Sequence, residues 1–254
     1  MILLFLSSGL FLGWSLGAND AANVFGTAVG TRMITFRTAA IVGSIFVIAG
    51  AVIGGSGPSG TLGRLGAVSA LPGAFVVALS AGLTALWMTR MKLPVSTSQA
   101  IVGAIIGWNL FTGHSTDTRT LIRIVSTWIV CPVLSALFAM LLFFAARGLL
   151  KRSSIHMLRL DAYTRTALLT VGAFGAYSLG ANNIANVVGV FVPVSPFPDL
   201  QLLPNIILDS QQVLFLVGGV AIAFGIATYS RKVMDTVGES IFRLSPISAC
   251  IVVL

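Results

Sequence analysis

Charge is scarce in this sequence: Asp, Glu, Lys and Arg together make up 9% of its 254 residues, against about a quarter in an ordinary soluble domain. That shortage excludes a water-soluble enzyme, a soluble nucleic-acid binder and a disordered chain. Cysteine is nearly absent. Cys131 and Cys250 each sit in an apolar stretch, so neither a disulfide framework nor a CxxC site can be built. Glu239 is the only glutamate and has no flanking histidines, which rules out HExxH, and the Walker A and GxSxG patterns are also missing. What the chain does have is apolar residues, 56% of the total with a mean hydropathy of +0.99. At about 20 residues per span, that is enough for seven or eight membrane crossings.

Runs with little or no charge cover residues 1–31, 38–63, 65–89, 93–118, 124–146, 166–198 and 210–230, and an eighth opens near Pro246. The first begins Met1-Ile2-Leu3-Leu4 with no basic segment before it and no small-residue cleavage site after it, so a span is expected there and not a removable signal. The runs exceed the ~10 residues of a barrel strand and lack its alternation. An all-α polytopic membrane protein is expected. With the N-terminus outside, the inner segments carry twelve basic residues and the outer ones only Arg64, Arg119 and Arg123. This positive-inside bias sets an N-out orientation and explains the net charge of +8 without a nucleic-acid partner. Runs 65–89 and 93–118 form either two crossings or the limbs of a re-entrant hairpin with its tip near Pro94, and the other loops keep their sides in both cases. The pairs Gly13/Gly17, Gly26/Gly30, Gly50/Gly54 and Gly103/Gly107 suit close helix packing. Gly55-Ser56-Gly57-Pro58-Ser59-Gly60 matches GxGxxG formally, but it follows a span, so a turn outside the membrane is expected.

Residues 15–26, Ser-Leu-Gly-Ala-Asn-Asp-Ala-Ala-Asn-Val-Phe-Gly, return at 178–189 as Ser-Leu-Gly-Ala-Asn-Asn-Ile-Ala-Asn-Val-Val-Gly, with nine of twelve positions identical at an offset of 163. An odd number of crossings separates the copies, so the second enters the membrane in the opposite direction, as in an inverted-repeat transporter. Each copy carries Gly-Ala-Asn near the middle of a run longer than a span needs, and a helix break is expected there. The division that follows is a first repeat over 1–146, a basic cytoplasmic linker over 147–165 and a second repeat over 166–254. The second half has no counterpart of Pro94-Val95-Ser96-Thr97-Ser98-Gln99. One would begin about 15–25 residues beyond Leu254, so the second repeat looks incomplete at its C-terminal end.

Asp20 is the only acid in the interior of an apolar run, where an unpaired charge costs about 2.5–3.5 kcal/mol on insertion scales. Such a group needs a cation or a proton beside it, with simple helix capping as the bland alternative. Asn19, Asn23, Asn182, Asn183 and Asn186 add five amides, whose oxygens suit a hard cation and whose N–H groups suit an anion. Interhelical hydrogen bonds, about 0.6 kcal/mol per pair, explain one such Asn better than five in two matched copies. Pro94 to Gln99 has the form of a helix start, with an early proline and capping hydroxyls. Inside a membrane its free N–H groups would favour an anion, and Ser96, Thr97, Ser98 and Gln99 add neutral donors.

At Gly17 to Asn23, at the repeat Gly180 to Asn186 and at Pro94 to Gln99, the sequence resembles the PiT family of inorganic phosphate transporters. The resemblance covers nearly the whole chain. It implies an inverted-repeat transporter with broken helices and a re-entrant hairpin, taking up inorganic phosphate by symport with Na⁺ or H⁺. It implies no other cofactor, no enzymatic activity, and commonly a homodimer in the plasma or inner membrane. Carried over by position, Asn19 and Asp20, with Asn182 and Asn183 as their symmetry mates, would hold the coupling cation. Asn23, Asn186, Ser96, Thr97 and Ser98 would face the phosphate, with Gln99 beside them. The family's second motif usually carries Asp where this chain has Asn183, so one anionic ligand is missing. The alternatives are a permease for sulfate or another tetrahedral oxyanion, a passive anion channel and, more distantly, an intramembrane hydrolase built on Ser96 or Ser98.

Overall fold

A computed structural model describes residues 2–63, 65, 71–91, 95–152, 156–195, 197–203, 206–236, 248 and 250–251. Pro94, Arg64, Glu239, Arg243 and Pro246 fall outside the described residues. The helices are α1 (Ile2–Gly30), α2 (Phe36–Gly54), α3 (Ser56–Gly63), α4 (Leu71–Arg90), α5 (Thr97–Thr112), α6 (Thr118–Arg152), α7 (Met157–Val188), α8 (Ser210–Tyr229) and α9 (Arg231–Asp235). A 3-10 turn over Gly189–Val194 and an antiparallel hairpin of β1 (Leu200–Leu203) and β2 (Ile206–Leu208) lie between α7 and α8. Each of the seven apolar runs contains a helix. Among the described residues α2, α4, α8 and the stretch Thr118–Leu149 of α6 are long and apolar enough to cross a membrane.

The expected helical membrane architecture holds, with one short β-hairpin added to it. Two other expectations need correction. The GxGxxG stretch is helical in α3: Pro58 falls in its first turn, where proline costs little, and Ser59 returns its hydroxyl to the Gly55 carbonyl at 2.9 Å. The breaks predicted at Gly-Ala-Asn do not occur, because α1 and α7 run unbroken through both motifs. The motif glycines serve packing. A Cβ on Gly17 would collide with the Ile222 carbonyl oxygen of α8, and one on Gly180 with the Val47 carbonyl oxygen of α2. Helical runs end instead at Gly55, at Ser230 and after Val188.

Those collisions occur in matched pairs. Gly50 of α2 lies against the Tyr177 carbonyl of α7, as Gly225 of α8 lies against the Trp14 carbonyl of α1. Trp14 and Tyr177, like Gly17 and Gly180, are 163 positions apart, whereas Val47 and Ile222, Gly50 and Gly225, and the breaks at Gly55 and Ser230 are 175 apart. The same helix-pair packing therefore occurs twice, with α1 on α8 and α7 on α2, each repeat lending a helix to the other. The extra residues of the second copy are accommodated between Val194 and Asp209, where the β-hairpin replaces the short link Thr31–Thr35. Around this interlock sits a core that includes Leu12, Leu16, Phe25, Ile184, Phe191, Phe215 and Ile222, all fully buried. Gly103 and Gly107 have open space where a Cβ would stand, so they make no such packing.

The helices α4 and α5 lie antiparallel, with Gly73 against Trp108. At 16 residues, or about 24 Å at 1.5 Å per residue, α5 is short for a ~30 Å hydrocarbon core. The turn between these helices meets α1 near Asn19 and Asp20, not at the end of α1. This is the geometry of a re-entrant hairpin, and it moves Arg90 from an inner loop to the hairpin tip, while Lys92 lies outside the described residues. Among the described residues, the long helix α6 packs on the core through Leu121, Ile124 and Trp128, and Ile129, Leu137, Phe138, Leu141 and Phe144 stay exposed beyond them. Most of the basic stretch 147–165 is helical, shared between the end of α6 and the start of α7.

Candidate ion and anion site

The site is built where the hairpin turn meets the first polar motif. Ser96 ends the turn with extended backbone and N-caps α5, its hydroxyl accepting from the Gln99 backbone N–H at 3.3 Å. That is the helix start expected from the sequence. Thr97 is buried and donates from Oγ1 to Asp20 Oδ2 at 3.1 Å. Asn19 donates from Nδ2 to Thr89 Oγ1 at 2.9 Å, while the Val95 backbone N–H reaches its Oδ1 at 3.5 Å. Residues on both sides of the turn are thereby tied to two consecutive residues of α1.

A cavity of about 340 Å³ opens between them, lined by Asn19, Asp20, Asn23, Val95, Ser96, Thr97, Ser98 and Asn183. The structure thus gathers seven of the ten residues singled out in the sequence around one space. Asp20 is only 7% exposed and Asn19 only 3%. A carboxylate so placed is costly unless compensated, and one hydroxyl bond from Thr97 is a small return. The oxygens of Asp20, Asn19 and Asn183 form a set suited to a hard monovalent cation. Beside them in the same lining, the exposed hydroxyl of Ser96, Ser98 and the N-terminus of α5 suit an oxyanion.

The other three residues lie at or beyond the edge. Asn186 joins the wall from behind, donating from Nδ2 to Ser98 Oγ at 2.8 Å and to Asn183 Oδ1 at 2.9 Å. Asn182 lines a different cavity of about 390 Å³, together with Pro58, Ser98, Arg123, Trp128 and Asn186. Gln99 is exposed on the first turn of α5, and its backbone N–H serves the cap. Sequence reasoning missed Thr89, which holds Asn19. It also missed a third cavity of about 340 Å³ lined by Asn19, Thr89, Arg90, Tyr229, Lys232, Val233, Asp235 and Thr236. The signal for Thr89 was its place at the polar end of an apolar run next to Arg90, which had been counted as a loop cation.

The two outer cavities occupy equivalent places in the two repeats. Asn19 and Asn182 are 163 positions apart, and Val233 and Pro58 are 175 apart. One outer cavity shares Asn19 with the central one and the other shares Ser98. A helical membrane protein with a re-entrant hairpin, a buried carboxylate and a central polar cavity flanked by two outer ones is by class a membrane transporter. The family is established by sequence: the chain belongs to the phosphate transporter family, whose sequence model matches residues 16–164 and 152–254. These are transporters and not enzymes. A protein of Pyrococcus horikoshii with the provisional name of phosphate permease is 26% identical over 320 residues, covering 96% of this chain and 78% of its own. Mouse sodium-dependent phosphate transporter 1 is 35% identical over 156 residues, covering 54% of this chain and 22% of its own. A solved structure titled "The sodium-dependent phosphate transporter" superposes with a TM-score of 0.80 at 24% identity, over 99% of this chain and 83% of that one, a likeness of fold.

Proposed function

We propose that this protein takes up inorganic phosphate by symport with Na⁺, through alternating access of the central cavity to the two outer ones. The observation that carries the reading is Asp20, an almost fully buried carboxylate, in the same cavity wall as the capped N-terminus of α5. A phosphate in that cavity would be repelled by the carboxylate, since like charges a few ångströms apart in a poorly hydrated space cost several kcal/mol. A cation between them reverses the sign of the interaction, so anion and cation each favour the other's binding. Asp20, with oxygens from Asn19 and Asn183, holds the cation. Asn23, Ser96, Thr97, Ser98 and the α5 N–H groups take the phosphate, with Asn186 steadying Ser98 and Gln99 at the rim. Asn182 acts from the neighbouring cavity and is not a direct ligand.

Sodium is preferred over a proton because the mouse relative and the solved structure are both named as sodium-dependent. The reading includes two inversely oriented repeats, an N-terminus outside, the 147–165 segment on the cytoplasmic side and a homodimer. The last rests on the family resemblance alone. The test is radiolabelled phosphate uptake into proteoliposomes under an imposed Na⁺ gradient, an imposed H⁺ gradient or neither, with sulfate and arsenate as competitors. Accumulation driven by Na⁺ and competed by arsenate is the expected result. Uptake that never exceeds equilibrium would establish a passive channel, and competition by sulfate alone a sulfate permease.

A further inference from the structure

The cavity between α1, the C-terminal end of α4 and α9 has chemistry of its own. Its wall carries the guanidinium of Arg90, the ammonium of Lys232 and the carboxylate of Asp235, a net positive charge, together with the hydroxyls of Thr89, Tyr229 and Thr236. Arg90 and Lys232 come from separate elements, the hairpin tip and the short helix after the break at Ser230, so two independent parts of the chain converge on one space. The equivalent cavity of the other repeat has Arg123 as its basic residue, and Gly57 stands at the position matching Lys232. The second cation is therefore not a by-product of the repeat. The two cavities have the same backbone origin, but one is the more electropositive.

We propose that this cavity is a second binding site for a tetrahedral oxyanion, inorganic phosphate in the first instance. It borders the central cavity at Asn19, which lines both. Arginine and lysine are suited to phosphate, the former through a forked pair of N–H donors and the latter as a point charge. Arg90, Lys232 and Asp235 are all exposed, so binding there is screened by solvent, weaker than beside the buried Asp20 and more sensitive to ionic strength. Asn19 is 3% exposed and lines both spaces, and its amide is held by Thr89 of the same outer wall. An ion leaving the central cavity on this side passes that amide and next meets Arg90 and Lys232. Basic walls in a narrow cleft raise the local anion concentration. The site thus receives phosphate released from the centre and, when occupied, opposes further release.

The inference rests on the phosphate reading above, and equilibrium binding of radiolabelled phosphate to the purified full chain separates the two. Two classes of phosphate are expected, a Na⁺-dependent tight one and a Na⁺-independent weaker one that chloride displaces. The double variant Arg90→Gln/Lys232→Gln should lose the weaker class by about tenfold or more in affinity and keep the tight class. Asp20→Asn should do the reverse. Arg90→Lys, which preserves the charge, should retain both, and this distinguishes a lost site from a damaged fold. A wild-type protein with one Na⁺-dependent phosphate, unchanged in the double variant, would overturn the second site and leave the transport reading intact. A weak class alone would overturn the central reading and leave this one, and no binding at all would overturn both.

Discussion

The two copies of the polar motif share their backbone setting and differ in what surrounds their side chains. In the first, Gly17 presses on α8, and Asn19 and Asp20 are buried under the hairpin turn through Thr89, Val95 and Thr97. In the second, Gly180 presses on α2 in the same way, yet Asn182 is exposed and Asn183 is bonded to Asn186 on its own helix. Packing alone therefore does not make the proposed ion site. The first copy is the candidate because a second element closes over it and because position 20 carries a charge where position 183 carries a neutral amide.

Exchanging that charge gives the largest effect. Asp20→Asn makes the copies alike, and Na⁺-driven phosphate uptake should fall by about 100-fold or more, since losing an intramembrane charge site removes several kcal/mol of ion binding. Retained size-exclusion behaviour would show that the fold survives. The packing half of the comparison is sharpened by Gly17→Ala and Gly180→Ala. Each forces a methyl group onto a backbone carbonyl, and each should lower stability by a similar amount, about 1–3 kcal/mol, in thermal melts. Gly60→Ala, with open space at its Cβ, should be neutral or stabilising by up to ~1 kcal/mol. Unequal losses at Gly17 and Gly180 would break the claim of equivalent packing.

A smaller effect is expected at Ser98, whose hydroxyl accepts from Asn186 of the second copy at 2.8 Å. Ser98→Ala should raise the phosphate concentration for half-maximal uptake by about 3–10-fold, on the order of 1 kcal/mol, with little change in Na⁺ activation. The smallest effect lies outside the membrane. The Asp117 carboxyl is held below the ordinary carboxylate range, first by the Thr120 hydroxyl, against the opposing effect of desolvation, and further by the Arg119 and Thr120 backbone N–H groups and the Arg119 charge. A lowered folded value means that its stabilising contribution is present above about pH 4, the unfolded value, and is lost as pH falls through the folded one. Thr120→Ala should raise the Asp117 midpoint in a carboxyl-carbon NMR titration while leaving transport unchanged.

Much of this arrangement was legible in the sequence because it is local. The run boundaries follow from where Arg and Lys interrupt apolar stretches. Ser96 as an N-cap follows from Pro-Val-Ser-Thr-Ser-Gln, and the duplicated motif follows from direct comparison of residues 15–26 with 178–189. The break at Gly-Ala-Asn was misread because glycine in a helix permits either a kink or a close crossing. Only the partner decides which, and here the Ile222 and Val47 carbonyls lie against these glycines. The cross-pairing of α1 with α8 and α7 with α2 was hidden for the same reason, since it depends on residues far apart in the chain. The Arg90–Lys232 cavity was concealed by a sound rule. Basic residues at run ends are ordinarily inner-loop anchors, and nothing in the local sequence shows that a hairpin carries one of them back to α1.

The most direct test of the central claim is paired measurement of radioactive sodium and radiolabelled phosphate entering the same proteoliposomes, with wild type beside Asp20→Asn and Asn183→Asp. The account predicts a fixed ratio of Na⁺ to phosphate in the wild type, no phosphate-linked Na⁺ entry in Asp20→Asn, and a higher ratio in Asn183→Asp. Phosphate-linked Na⁺ entry that persists unchanged in Asp20→Asn would contradict it.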